Sequence, residues 1–132
     1  MSKKTTKKNH DTVASDFAIS LTDTEQVNPA SADLLRLCAF LYSENMPEEI
    51  LKEGIKDLGG HFQPIANDFA AWDEALAEAC HTGFLRYNPS RKIVTMKLSI
   101  QDLLRQGMSE YEQRNWAEQA VRAVGSPKHV VI

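Results

Sequence analysis

Leu34, Leu35, Leu37, Cys38, Phe40 and Leu41 cover two adjoining faces of one helical segment, a stripe too wide for a helix with a solvated side. Asn28 supplies an N-cap in front of it, and Pro29 fits the first helical position, where its missing N–H costs nothing. The pattern predicts a central helix from Asn28 to about Leu41, with other elements packed around it. Pro47 opens a second helix, to about Asp57, that is expected to bury Ile50, Leu51 and Ile55 before Gly59-Gly60 stops it. Upstream, Val13, Phe17 and Leu21 recur at spacing four and predict a short amphipathic helix over Asp11 to Leu21, followed by a polar link from Thr22 to Val27.

Downstream, His61 to Asn67 reads as a connector anchored by Phe62 and Ile65. Asp68 caps a helix in which Phe69, Trp72, Leu76, Ala79 and Cys80 recur at three- and four-residue steps, until Gly83 ends it. Phe84 to Tyr87 and Ile93 to Met96 are β-prone runs around the turn Asn88-Pro89-Ser90-Arg91-Lys92, which predicts a hairpin. A helix starting at Leu98 or Ser99 carries Ile100, Leu103 and Leu104 as far as Gly107. Ser109 and Glu112 form a capping box for a last helix, Glu110 to Val124, closed by Gly125-Ser126-Pro127.

Three helices followed by a two-stranded hairpin is the order of a winged helix-turn-helix. The expected fold is therefore mainly α: a winged-helix core from about Asn28 to Met96, with an N-terminal helix and two C-terminal helices flanking it. The domain partition is a basic, disordered tail over 1–10, the winged-helix domain with its flanking helices over 11–125, and a short C-terminal tail over 126–132. No internal repeat is visible.

Composition narrows this further. The length of 132 residues fits one domain with a real core, and no apolar run approaches the roughly 18 residues of a membrane span. MSKKTTKKNH lacks the apolar segment of a signal peptide, so a cytoplasmic protein is expected. Cys38 and Cys80 sit at apolar helical positions and read as reduced core thiols, with a disulfide between them as the alternative. The net charge is −3, and Lys3, Lys4, Lys7 and Lys8 put +4 into the first ten residues, so the remainder carries −7. A body of that sign does not attract nucleic acid or an anionic membrane.

That charge bears on the usual role of the fold, in which the third helix reads the DNA major groove. Here the third helix carries Asp73, Glu74 and Glu78 and no Lys or Arg, so it would repel phosphates. Arg86, Arg91 and Lys92 on the hairpin are candidate wing contacts to a nucleic-acid backbone, although a solvated turn explains them as well. Catalytic patterns are missing. The four histidines, His10, His61, His81 and His129, show no metal-ligand spacing, and Cys80 and His81 are adjacent on a helix, pointing about 100° apart. No phosphate-binding GxxxxGK[ST] occurs. The chain reads as a non-enzyme without metal or cofactor.

The run Asn28-Pro29-Ala30-Ser31-Ala32-Asp33-Leu34-Leu35-Arg36-Leu37-Cys38-Ala39-Phe40-Leu41, then Met46-Pro47-Glu48-Glu49-Ile50-Leu51, resembles the winged-helix segment of bacterial signal-transduction NTPases of the STAND class. These are relatives of NB-ARC proteins and often carry tetratricopeptide repeats. Trp72-Asp73-Glu74-Ala75-Leu76, Gly83-Phe84-Leu85-Arg86, Met108-Ser109-Glu110 and the stretch from Glu112 to Val121 fall in the same order, so the likeness spans about Val13 to Val124. In that family, a Met-His pair opens the helix after the wing, and the histidine contacts the β-phosphate of bound ADP. Met96, Ile100, Gln101, Leu104 and Arg105 fit this motif, but Lys97 stands at the histidine position. Lysine keeps a point charge and loses the imidazole's geometry. The chain as given has no P-loop and no Walker-type acidic strand, so an ADP or ATP contact is expected only if it is joined to or docked on an NTPase core.

The resemblance implies a non-catalytic protein–protein interaction and regulatory module that packs on a nucleotide-binding core and helps hold its off state. The expected partner is such a core, a repeat domain or a second copy. The expected interaction surface is Tyr111 and Trp116 with the apolar end Val130-Val131-Ile132. The alternatives are a DNA-binding regulator using the Lys-rich tail and the wing, and a degenerate remnant of a larger NTPase.

Overall fold

The structure, a computed structural model, describes residues 10–41 and 43–125, with side chains described from Asp16 onward. The expectations for the basic tail, for Val13 and for the apolar end after Gly125 lie outside the described residues. Among these, seven α-helices and a small antiparallel sheet follow in the order α1 (His10–Val27), α2 (Pro29–Cys38), β1 (Asn45–Pro47), α3 (Glu48–Ile55), a 3-10 turn (Gly60–Phe62), α4 (Gln63–Ala66), α5 (Phe69–His81), β2 (Arg86–Asn88), β3 (Ile93–Thr95), α6 (Leu98–Gln106) and α7 (Glu110–Val124). The fold is mainly helical, as the periodicity predicts.

Helix α2 is the centre. Leu34, Leu35 and Leu37 are fully buried, and α1, α5, α6 and α7 all pack on this one element. Asn28 caps it as expected, its Oδ1 accepting from the backbone N–H groups of Ala30 and Ser31. Ser31, also fully buried, donates to the Ala75 carbonyl at 2.7 Å and ties α2 to α5. The helix was expected to reach Leu41, but it stops at Cys38. Phe40 and Leu41 instead donate to the carbonyls of Leu37 and Cys38, a tightened last turn. The carbonyls at this end also accept from α6: Gln101 donates to Cys38 and Leu41, and Arg105 to Ala39.

The expected polar link from Thr22 to Val27 is part of α1. Thr22 and Thr24 return their hydroxyls to the carbonyls of Ala18 and Ser20, so their polarity is satisfied inside the helix. The sheet also exceeds expectation. Its order is β1-β3-β2, with Met46 opposite Val94 and Tyr87 opposite the same Val94 on the other side. Thr95 donates to Asn45 Oδ1 at 2.7 Å across the extra pair.

Two residues expected in the core lie outside it. Ile50 is 47% exposed because it sits about 140° around α3 from Ile55, away from the face that α3 buries. Phe69 is 76% exposed: it is the first residue of α5 and projects into solvent with the Lys52 ammonium 4.6 Å from its ring centroid. Cys38 and Cys80 are free thiols. Burial pushes the Cys38 thiol up to about 12, and burial raises Cys80 as well.

Candidate functional site

The start of α6 is where the sequence motif falls. Met96 is buried, and Lys97 is exposed at the N-cap, its carbonyl accepting from the Ile100 and Gln101 N–H groups at 3.0 and 2.9 Å. Gln101 and Leu104 are buried at 1% exposure, and Arg105 is held against the end of α2. Burial lowers the Arg105 pKa, with Asp102 opposing the shift. Gln101 spends its amide N–H groups on the turn after α2, and among the described residues its Oε1 accepts from no partner. The motif residues Met96, Gln101, Leu104 and Arg105 therefore point inward and fix α6, while Lys97 points out. The positive end of the α6 dipole is already served from within the chain, because the Leu98 N–H donates to Glu44 Oε2 at 2.8 Å.

On the hairpin, Arg86, Arg91 and Lys92 are all exposed. Asn88 Oδ1 accepts from the N–H groups of Ser90 and Arg91 at 3.0 and 3.1 Å, which shapes the turn. Lys92 adopts a left-handed backbone (φ 55°) and its carbonyl accepts from the Glu48 N–H at 2.9 Å. The Glu48 carboxylate then joins three elements: Tyr87 Oη donates to Oε1 and Trp72 Nε1 to Oε2, both at 2.7 Å. Burial pushes Glu48 up, but these hydrogen bonds and the charges of Lys52 and Lys92 outweigh it, leaving its pKa below the ordinary glutamate value. The same bond and the partial burial of the phenol push Tyr87 up to about 12. Beside this cluster runs a groove of about 850 Å³, lined in part by Lys52, Phe69, Asp73, Tyr87 and Lys92. The outer face of α5 exposes Phe69, Ala70, Asp73, Glu74, Ala77 and His81.

Tyr111 and Trp116 are not brought together. Tyr111 is 75% exposed, whereas Trp116 is half-buried and packs edge-on against Phe62 at 6.4 Å, about 140° around α7 from Tyr111. Trp116 borders a small cavity of about 240 Å³ with Asp33, His61 and Gln119. There Asp33 accepts from Arg36 and pairs with His61 at 2.7 and 2.8 Å, and Arg36 reaches Glu25 on α1. Tyr111 shares its helix face with Arg114 and Glu118, three and seven residues on. These two, with Phe40, Arg105, Gln113, Ala117 and Val121, line a cleft of about 540 Å³ between α6 and α7. Its floor of Phe40, Ala117 and Val121 is apolar.

Neither the cleft nor the Glu48 cluster was foreseen. Trp72 and Tyr87 lie 24 and 39 residues from Glu48, so no local spacing announces them. A Glu in the first turn of α3 is ordinary, and only its burial separates it from Glu49. Among the described residues, no group of three His, Cys, Asp or Glu side chains is placed to hold a metal ion. No helix of these residues is long and apolar enough to cross a membrane.

No curated protein and no solved structure matches the chain. One family model does, over residues 22–113, from the end of α1 into the first turn of α7. That span is more than half of the sequence and includes the whole sheet, the Glu48 cluster and the α6 motif, and on it the chain belongs to the family described as Domain of unknown function (DUF7779).

Proposed function

We propose that this chain is a non-catalytic regulatory module built on a winged-helix arrangement, which docks on a nucleotide-binding core of the STAND type. The winged-helix reading rests on the succession α2, β1, α3, α5, β2, β3 and on the sheet order β1-β3-β2, in which the α2–α3 connection supplies the third strand. The docking reading rests on one observation above others. Met96, Gln101, Leu104 and Arg105 are spent on anchoring α6, and Lys97, at the position where the resembling NTPases contact a phosphate, is left exposed at the head of that helix. A core carrying bound ADP would meet Lys97 and Glu44 there. In this reading the module senses the nucleotide of its partner and contributes no chemistry of its own.

The test is affinity capture from source-cell lysate with the folded chain, with and without ADP, beside a Lys97→Glu variant. Recovery of an NTPase that increases with ADP and is lost in Lys97→Glu supports the reading. Equal recovery by both forms, or recovery of transcription proteins only, defeats it. A second reading, DNA contact through the wing, is favoured by the exposure of Arg86, Arg91 and Lys92.

A further inference from the structure

Two exposed features of this chain carry complementary chemistry, an aromatic ring and an apolar cleft, each flanked by charges of both signs. The first is the head of α5. Phe69 opens that helix at 76% exposure, with Asp73 and Glu74 one turn on and the Lys52 ammonium beside the ring. Aromatic residues, Phe among them, are enriched at protein interfaces relative to the rest of the surface. The second is the α6–α7 cleft, with its floor of Phe40, Ala117 and Val121. At about 540 Å³ it has room for a phenyl ring. Its rim carries Arg114 and Glu118, and among the described residues Arg114 makes no ion pair. Arg105, also on the rim, is committed to the Ala39 carbonyl and to Asp102 at 3.6 Å.

Three pairings of opposite or apolar character are available between them: Phe69 with the apolar floor, Asp73 with Arg114, and Lys52 with Glu118. They share no residue, and Phe69 stays 76% exposed, so one copy does not fill its own site. We propose that the occupant of the cleft is a second copy of this chain, with the head of α5 on one copy seated between α6 and α7 of the next. Because knob and hole are different surfaces, the contact is heterologous and copies add head to tail. This goes beyond the docking reading and does not depend on it.

The experiment is light scattering on the full chain at low salt, over roughly 10 µM to 1 mM, the range suited to a small contact. Weight-average mass is expected to rise about twofold or more across that range. Arg114→Glu and Asp73→Arg are each expected to hold the chain at monomer mass, and both positions are exposed, so circular dichroism should show an unchanged fold. Their equimolar mixture is expected to regain mass. In it, the native knob of the Arg114→Glu copy meets the native cleft of the Asp73→Arg copy, and the two reversed surfaces meet each other. Phe69→Ala should weaken the association both of the otherwise native chain and of the equimolar mixture. A chain that is monomeric at all concentrations, an association indifferent to both substitutions, or a mixture that fails to recover overturns the proposal. Since none of these readouts involves a nucleotide or an NTPase, they fail independently of the docking test.

Discussion

Glu48 shows how much one side chain holds here. At 8% exposure its charge is tolerated because both oxygens are satisfied, by Tyr87 and Trp72, and because Lys52 and Lys92 stand near. Its pKa is depressed below 4.5 in the folded chain, so its contribution is complete above that value. The contribution fades as pH falls through the lowered pKa. Tyr87 works in the opposite sense: its pKa is raised from 10.0 to about 12, so the bond is whole below 10.0 and is lost as pH climbs toward 12. The pair is therefore intact across the neutral range and fails at both ends. Glu48→Gln keeps the shape and removes the charge. It is expected to cost about 1–2 kcal/mol at pH 7, since a hydrogen bond to a charged group is worth more than a neutral one. Thermal melts at pH 3 to 7 should show a smaller gap between variant and parent at the acid end. A gap that stays constant with pH would mean that folding leaves the Glu48 pKa unshifted.

At the scale of elements, Gly54 sets how closely α3 and α7 approach. A Cβ there would lie 2.7 Å from the Ala123 carbonyl oxygen and 3.0 Å from its Cβ. In a free helix, Gly→Ala stabilises by about 1 kcal/mol. Here the sign should reverse, because a backbone oxygen cannot swing aside: Gly54→Ala is expected to lose about 1–2 kcal/mol by urea unfolding, and Gly54→Val more. A stabilised Gly54→Ala would show that α7 is not seated on α3. Elements whose rules are local were legible in the sequence. The Ser109–Glu112 capping box, the Asn28 and Asp68 caps and the left-handed Gly125 stop all stand where the residues placed them. What eluded the pattern is held by distant partners. β1 is three residues ending in Pro47, with no period of its own, and exists because β3 pairs with it from Ile93–Thr95. The Glu48 cluster, and the cleft that joins Phe40 to the distant Val121, are tertiary in the same way. The α6 motif lies between these cases: its residues were named in order, but the inward turn of Gln101 and Arg105 onto the end of α2 was not.

For the molecule as a whole, the distribution of charge decides between partners. Residues 11–132 carry −7 and the first ten +4, and α5, the element that would enter a groove, exposes Asp73 and Glu74 with no Lys or Arg. Arg86, Arg91 and Lys92 supply three cations at one edge, too few to offset a body of that sign over several phosphates. Any attraction to DNA should therefore come from Lys3, Lys4, Lys7 and Lys8 and should be sequence-independent. Anisotropy with a labelled duplex is expected to give binding no tighter than about 10⁻⁴ M at physiological salt. At low salt it should tighten, with a logarithmic slope near −0.9 per lysine engaged, hence roughly −3 to −4. Deleting residues 1–9 should remove that slope, and substituting Arg86, Arg91 and Lys92 by alanine in the full chain should leave it nearly unchanged. The opposite result, a slope that survives the deletion and disappears with the three hairpin residues, would place DNA against the hairpin. The acidic face of α5 would then have to turn away from the duplex, and the chain would bind nucleic acid through its hairpin.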